Sequence, residues 1–155
     1  MNVVHSYLDA ITNLGSLPFV LVVLVFMYAA GPLDLFVDLL LSWLGVFILI
    51  ALIKLIFFKR RPERKGDKSV PTSFVDRIDQ STFPSFHAAN AAMLAILLAF
   101  TFKNIYLSSF LAFLAISVMV SRVHLKKHYF LDVSVGAVIG IIASFFVLWA
   151  AHTIF

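Results

Sequence analysis

Long apolar stretches alternate with short polar segments along the chain, and their lengths predict membrane-crossing helices. No charged residue occurs between Asp9 and Asp34, and residues 14–30 within that interval form the first apolar stretch. A helix of about 20 apolar residues crosses the hydrocarbon layer of a membrane. The first stretch ends at Gly31-Pro32, a pair that breaks helices, and a second stretch runs from residue 33 to about residue 58.

Three further apolar stretches follow in the second half of the chain. They cover residues 88–102, 105 to about 120, and 133 to about 152. The last of them carries the small residues Gly136, Gly140, Ala143 and Ser144, which suit close packing between helices. The pattern predicts an all-α integral-membrane bundle of about five transmembrane helices, with residues 1–155 in a single domain.

Composition supports a membrane protein and excludes several other classes. Of the 155 residues, 62% are hydrophobic and only 13% are charged, which is outside the range of ordinary soluble proteins. The chain has no cysteine, so disulfide scaffolds and thiol chemistry are excluded. The first apolar stretch lacks a basic flank and a small-residue cleavage site, and we expect it to remain as a membrane helix.

One long polar segment, residues 59–86, interrupts the apolar pattern. Its first part, residues 59–68, is strongly basic, and it continues with Pro, Ser, Thr and Asp residues that must lie outside the hydrocarbon. Loops of this length in a compact domain are usually functional or disordered, and we favour a functional loop on the active-site side. Residues 63–83 form either an ordered lid or a tether, and the basic run also suits a topology determinant or a patch for anionic head groups.

The order of the five predicted spans brings the polar residues to one side of the membrane. The N-terminus, the 59–86 loop and the 121–132 segment lie on that side if each stretch crosses once. Three polar clusters then meet there: Lys54 with Arg61 and Pro62; Pro84, Ser85, Phe86 and His87; and Ser121, Arg122, His128 and Asp132. Ionisable residues at this depth are costly and usually mark a site.

The second cluster has the features of an anion site. Ser85 precedes the third apolar stretch and can cap its helix, and the backbone amides of Phe86 and His87 then lie at the positive end of the helix dipole. Three fixed positive charges come from Lys54, Arg61 and Arg122. This combination suits a phosphoryl group, whose transition state spreads negative charge over its oxygens.

The third cluster contains a candidate nucleophile. His128 and Asp132 are four residues apart near the start of a helix, so the carboxylate can accept the proton of one ring nitrogen. The other nitrogen is then free to attack phosphorus and form a phosphohistidine. His87 lies beside the anion site, and we expect it to protonate the leaving oxygen and later to activate water.

The three clusters resemble the three motifs of the type 2 phosphatidic acid phosphatase superfamily. They are Lys54-x6-Arg61-Pro62, Pro84-Ser85-x-His87 and Ser121-Arg122-x5-His128-x3-Asp132, in the family's order and spacing. The resemblance implies a helical core shared with vanadium haloperoxidases and phosphate hydrolysis without a metal or other cofactor. It implies catalysis by His128, His87 and Asp132 and phosphate binding by Lys54, Arg61, Ser85 and Arg122.

The chain departs from the family pattern in two places. Phe86 occupies a position where the family commonly has glycine, so a side chain narrows or reshapes the pocket while the backbone donor remains. The chain also has one span fewer than the usual six-span membrane members. This difference bears on how a substrate enters from the side.

Other interpretations of the same residues stay open at this stage. His124, His128 and Asp132 follow at four-residue steps and could form a metal site on one helical face, although the basic residues between them favour an anion. A vanadate-dependent haloperoxidase and an anion-binding transporter are two further alternatives. His5 and His152 lie outside the clusters, and we assign them no role.

The resulting prediction is a metal-independent phosphatase that acts on a phosphate monoester or diphosphate of a membrane lipid. Phosphatidic acid, phosphatidylglycerol phosphate and a polyprenyl diphosphate all fit, and membrane lipids are the expected surroundings, with no nucleic-acid partner. Eleven of the twelve Lys and Arg residues fall on the catalytic side, which predicts a cytoplasmic active site. The resemblance points the other way, because many bacterial relatives face outward.

Overall fold

A computed structural model describes residues 3–64 and 71–154, and helices dominate both parts. The helices are α1 (Val3–Thr12), α2 (Leu17–Ala30), α3 (Leu33–Ile56), α4 (Phe74–Gln80), α5 (Phe86–Phe102), α6 (Ile105–His124) and α7 (Phe130–Ile154). Short 3-10 turns cover Asn13–Gly15 and Pro62–Arg64. The prediction of an all-α membrane bundle is confirmed, whereas the part of the basic run at residues 65–68 lies outside the described residues.

The number of membrane spans is close to the predicted five, but the spans are less regular than predicted. Helices α3, α6 and α7 are each long and apolar enough to cross a membrane alone. Helices α1 and α2 pass the same test only as a pair bent by 51°, and the apolar helix α5 is shorter. The first span therefore differs from the predicted single helix over residues 14–30, because the chain turns at Asn13–Gly15 and Ser16 caps a new helix by accepting a hydrogen bond from the Phe19 amide.

Helix α5 lies at the centre of the bundle, in contact with α3, α6 and α7. A Cβ atom at Gly136 would overlap the Ser85 carbonyl oxygen, and one at Gly140 would overlap the Ala89 carbonyl oxygen. Ser144 is fully buried and donates to the Gly140 carbonyl at 2.9 Å. The prediction that small residues of the last helix allow close packing is confirmed, and this contact places the start of α5 against α7.

The long polar loop contains a helix that the apolar pattern does not predict. Ser73 caps α4 by accepting a hydrogen bond from the Asp76 amide at 3.1 Å. The two ends of the loop pair with each other, since Arg60 and Ser81 form an antiparallel bridge and the Thr82 amide donates to the Lys59 carbonyl at 2.8 Å. This pairing brings the residues just before α5 alongside the residues just after α3.

Candidate active site

A cavity of about 250 Å³ lies where the polar ends of α3, α5 and α6 meet α4 and the segment before α7. Six of the eight predicted site residues line it: Lys54, Arg61, Phe86, His87, Arg122 and His128. The other two, Ser85 and Asp132, are fully buried and are not among the lining residues. The structure thus brings residues from all three polar clusters to one place.

The hydrogen bonds of His128 define its tautomer. Nδ1 lies 2.7 Å from the Thr82 carbonyl oxygen, which can only accept, so Nδ1 carries a proton. Nε2 lies 3.2 Å from Nη2 of Arg122, which can only donate, so Nε2 carries a lone pair. The ring is therefore neutral, with its unprotonated nitrogen beside a guanidinium at the cavity.

The surroundings of His128 also keep the ring neutral. Burial lowers the pKa of His128 far below its usual 6.5, and the positive charges of Arg122 and Lys54 lower this pKa further. The segment that carries His128 lies between α6 and α7, outside the spanning helices. A histidine in this state is a nucleophile rather than an acid near neutral pH.

The contact expected between Asp132 and His128 is not the one that the structure shows. Oδ2 of Asp132 accepts from the Thr82 hydroxyl and from the Tyr129 amide, both at 2.8 Å, and Oδ1 pairs with Lys59 at 2.7 Å. The four-residue spacing does not place the two side chains on one helix, because α7 begins only at Phe130. Thr82 lies between them, so Asp132 reaches the imidazole through a hydroxyl group.

Thr82 and Lys59 contact the predicted site residues, and the sequence motifs predict neither of them. Thr82 is fully buried, and its hydroxyl oxygen is 3.0 Å from His128 Nδ1 as well as bonded to Asp132. Lys59 lies over the Tyr129 ring at 4.4 Å from the centroid while it pairs with Asp132. Lys59 belongs to a basic run that is also typical of a topology signal, so its sequence does not single it out. For Thr82, the one signal in the sequence is its position two residues before Pro84.

Two of the predicted phosphate-binding cations are held by the carboxyl end of α4. The buried Lys54 ammonium donates to the carbonyl oxygens of Ile78 at 3.0 Å and Ser81 at 2.8 Å. Arg61 donates to the carbonyl oxygen of Asp79, and its guanidinium lies 3.6 Å from that residue's carboxylate. Carbonyl groups at a helix end carry partial negative charge, so α4 orients both cations toward the cavity.

Buried hydrogen-bond donors without partners are further evidence that the cavity binds an anion. The Nε atoms of Arg61 and Arg122 are buried, and neither has an acceptor among the described residues. Buried charged donors without partners are costly, and an anion in the cavity that these two residues line would supply acceptors.

The start of α5 matches the predicted anion site in part. Ser85 caps the helix by accepting from the Ala88 amide at 3.4 Å, as predicted. Phe86 and His87 are the first two helical residues, so their amides have no acceptor within the helix. The Ser85 hydroxyl serves the cap, and a direct contact of this group with phosphate stays a prediction.

The structure does not form the alternative metal site. The described residues contain no group of three or more His, Cys, Asp or Glu side chains that could hold a metal ion. His124 is exposed at the end of α6, whereas His128 and Asp132 are buried. The three side chains proposed as ligands therefore do not share one face.

One part of the chain is similar in sequence to a known phosphatase. The lipid A 4'-phosphatase of Bacteroides thetaiotaomicron is 39% identical over 70 residues, which cover 45% of this chain and 31% of that protein. The matched segment is thus less than a third of that relative's length.

Two crystal structures share the fold, each with 23% sequence identity and a TM-score of 0.79. LpxE of Aquifex aeolicus matches over 96% of this chain and 87% of its own. A transmembrane PAP2-type phosphatidylglycerolphosphate phosphatase of Bacillus subtilis matches over 100% of this chain and 80% of its own. A family model described as PAP2 superfamily matches residues 35–155, a range that contains all eight predicted site residues, and the chain therefore belongs to the PAP2 superfamily.

Proposed function

We propose that this protein is a membrane lipid phosphatase that works through a phosphohistidine on His128, without a metal. One observation carries the proposal. The unprotonated Nε2 of His128 lies at a cavity that is also lined by Lys54, Arg61 and Arg122. A neutral nucleophile surrounded by three cations suits attack on an anionic phosphoryl group.

In the first step, Nε2 of His128 forms a bond to phosphorus while the bond from phosphorus to the ester oxygen breaks. The electron pair of that bond goes to the leaving oxygen, which takes a proton from His87, whose imidazole is protonated when the anionic substrate binds beside it. The imidazole becomes positive, and the Thr82 carbonyl stabilises it through the Nδ1–H bond. The Arg122 guanidinium, which contacts Nε2 in the free protein, moves its hydrogen bond to a phosphoryl oxygen.

In the second step, water attacks the phosphohistidine and the bond between nitrogen and phosphorus breaks. The imidazole recovers its lone pair, and His87 takes the proton that it had given to the leaving group, now from the attacking water. Inorganic phosphate leaves and the site returns to its starting state. Both steps use the same cations, because the phosphoryl group stays in one place.

The substrate is proposed to be a lipid because the protein is embedded in the membrane and the cavity lies at the polar ends of its helices. The similar proteins carry names that specify lipid A and phosphatidylglycerolphosphate as substrates. Phosphatidic acid, phosphatidylglycerol phosphate and a polyprenyl diphosphate are the substrates to test. The excess of Lys and Arg at the catalytic end supports an active site at the cytoplasmic surface.

The test is phosphate release by the detergent-purified protein from these three lipids in the presence of EDTA. We expect His128→Ala to lower the rate by about 1000-fold or more, as loss of a catalytic nucleophile does. His124→Ala is the matched control, since this histidine is exposed four residues away, and it should keep its activity. Release that survives in His128→Ala, or that EDTA abolishes in the unmodified protein, would contradict the proposal.

A further inference from the structure

The active-site cavity has an apolar wall that the phosphatase chemistry does not require. Trp43, Phe47 and Phe86 line it together with the catalytic residues. Their rings contact one another in a row, with 5.7 Å between the centroids of Trp43 and Phe47 and 5.7 Å between those of Phe47 and Phe86. Phe47 is 40% exposed, so this row connects the cavity with the outer surface of the bundle.

The row runs along the membrane-spanning helix α3. Phe47 and Trp43 precede Lys54 by seven and eleven residues, which places all three on one face of the helix. At a rise of 1.5 Å per residue, they lie about 10 Å and about 16 Å from Lys54 along the axis. The aromatic wall therefore extends from the phosphate-binding end toward the middle of the apolar span.

Phe86 brings this wall up to the phosphate-binding groups themselves. Its ring centroid is 5.4 Å from the Lys54 ammonium, and its backbone begins the helix that carries His87. A glycine at position 86 would have no ring to fill the space between the Lys54 ammonium and Phe47. An ester whose phosphate lies beside Lys54 would therefore meet this ring with the first atoms beyond its phosphate.

We propose that Phe86 is a specificity-determining residue that selects phosphate esters whose hydrocarbon chain begins at the ester oxygen. This inference rests on the proposed phosphatase function. Methylene groups that follow the phosphate directly gain from burial against the ring. The hydroxyl groups of a glycerol or sugar head group held against the ring would lose water, and the ring itself offers them no hydrogen-bond acceptor. Phosphates on hydrophilic head groups are therefore the poorer substrates.

The experiment compares kcat/KM for farnesyl phosphate and phosphatidylglycerol phosphate in mixed micelles with the full-length protein. The unmodified protein should favour farnesyl phosphate by about tenfold or more. Phe86→Gly should lower this preference by about tenfold, and Phe86→Leu, which keeps an apolar side chain, should retain most of it. Phe113→Gly is the matched control, because Phe113 is 65% exposed on α6 and does not line the cavity.

Different outcomes distinguish a failure of the proposed function from a failure of the role of Phe86. If release from both substrates persists in His128→Ala, or if neither substrate is hydrolysed, the proposed function fails. If release depends on His128 but the preference is the same in Phe86→Gly, or the unmodified protein favours phosphatidylglycerol phosphate, the role of Phe86 alone is refuted. Should Phe86→Gly elute as an aggregate in gel filtration, Phe86→Ala takes its place with the same expected loss of preference.

Discussion

At the level of single residues, the hydroxyl of Thr82 links the carboxylate of Asp132 to the ring of His128. Thr82→Val keeps the shape of the side chain and the backbone carbonyl but leaves a buried carboxylate oxygen without this donor. The loss of such a donor costs about 1–3 kcal/mol, so we expect kcat to fall by about 5- to 150-fold. Phosphate-release kinetics should show little change in KM, since Thr82 does not line the cavity.

Thr82→Ser separates a positioning role from a packing role. Serine restores the hydroxyl while removing the methyl group, so this variant should recover most of the activity that Thr82→Val loses. Equal activity of the Val variant and the unmodified protein would show that Asp132 does not act through Thr82. Equal losses in the Val and Ser variants would indicate that only the packing of the methyl group matters.

The buried, neutral state of His128 has a consequence for stability at low pH. Its pKa is about 6.5 when unfolded and far lower when folded, so below pH 6.5 the unfolded chain binds a proton that the folded chain does not. The stability that His128 contributes is therefore complete above pH 6.5 and decreases as the pH falls. From this one group, the free energy of unfolding falls by up to about 1.4 kcal/mol for each pH unit.

His128→Gln removes the titrating group, and the thermal midpoint of this variant in detergent should fall less steeply from pH 7 to pH 5 than that of the unmodified protein. His124→Gln provides the comparison for an exposed histidine four residues away, at the end of α6. If the thermal midpoints of the unmodified protein and His128→Gln change in parallel with pH, then His128 has the same pKa in the folded and unfolded states, and the prediction is wrong.

Motif spacing predicts which residues meet, but not how they bond. Lys54, His87 and His128 are separated by more than thirty residues from one another, and their convergence could be predicted from the alternation of spans. The contact of Asp132 with Thr82 could not, since it depends on where α7 begins and on the pairing of residues 59–60 with 81–82. These contacts follow from tertiary structure, which local spacing does not encode.

At the level of elements, α5 and α7 pack closely because two glycines of α7 place no side chain at the interface. Gly140→Ala places a methyl group against the Ala89 carbonyl, and overpacking of this kind costs about 1–3 kcal/mol. Gly45→Ala on α3 is the matched control, because a Cβ atom there meets nothing within 4 Å and alanine favours the helix.

Thermal unfolding in detergent, followed by size-exclusion chromatography, should rank Gly140→Ala below the unmodified protein and Gly45→Ala at or above it. Phosphate release should fall with Gly140→Ala as well, because α5 carries His87 and α7 carries Asp132. A Gly140→Ala protein as stable as Gly45→Ala would mean that α5 and α7 can separate without cost.

The length of an apolar stretch in the sequence predicts the long helices better than the short ones. The predicted stretches match α3 and α5 within about two residues, because uninterrupted apolar runs leave little choice of boundary. Helices α1 and α4 are missing from the prediction. Helix α1 mixes polar and apolar residues, as in His5, Ser6 and Asp9, and packs against α6, while α4 has only seven residues in a loop. Neither carries the signal of a membrane span.

At the level of the whole molecule, positive charge and the catalytic cavity lie at the same end of the bundle. Within residues 3–64 and 71–154, nine of the ten Lys and Arg residues belong to segments at that end, and Lys103, in the turn between α5 and α6, belongs to the other. Basic residues in short loops are retained in the cytoplasm during insertion. The distribution therefore predicts that the cavity opens at the cytoplasmic surface.

Single cysteines can decide the orientation, because the chain contains none of its own. Lys126→Cys marks the catalytic end and Lys103→Cys the opposite end, and the two sites are well matched, since both residues are exposed and have left-handed backbone angles, with φ of 55° and 48°. In intact bacterial spheroplasts, a membrane-impermeant maleimide should label Lys103→Cys, whereas Lys126→Cys should react only after permeabilisation. The reverse pattern would place the cavity outside the cell, and labelling of both sites in intact spheroplasts would show that charge does not fix one orientation. Because phosphate release can be measured on the same two proteins, the orientation would be established for the active enzyme rather than for a misinserted fraction.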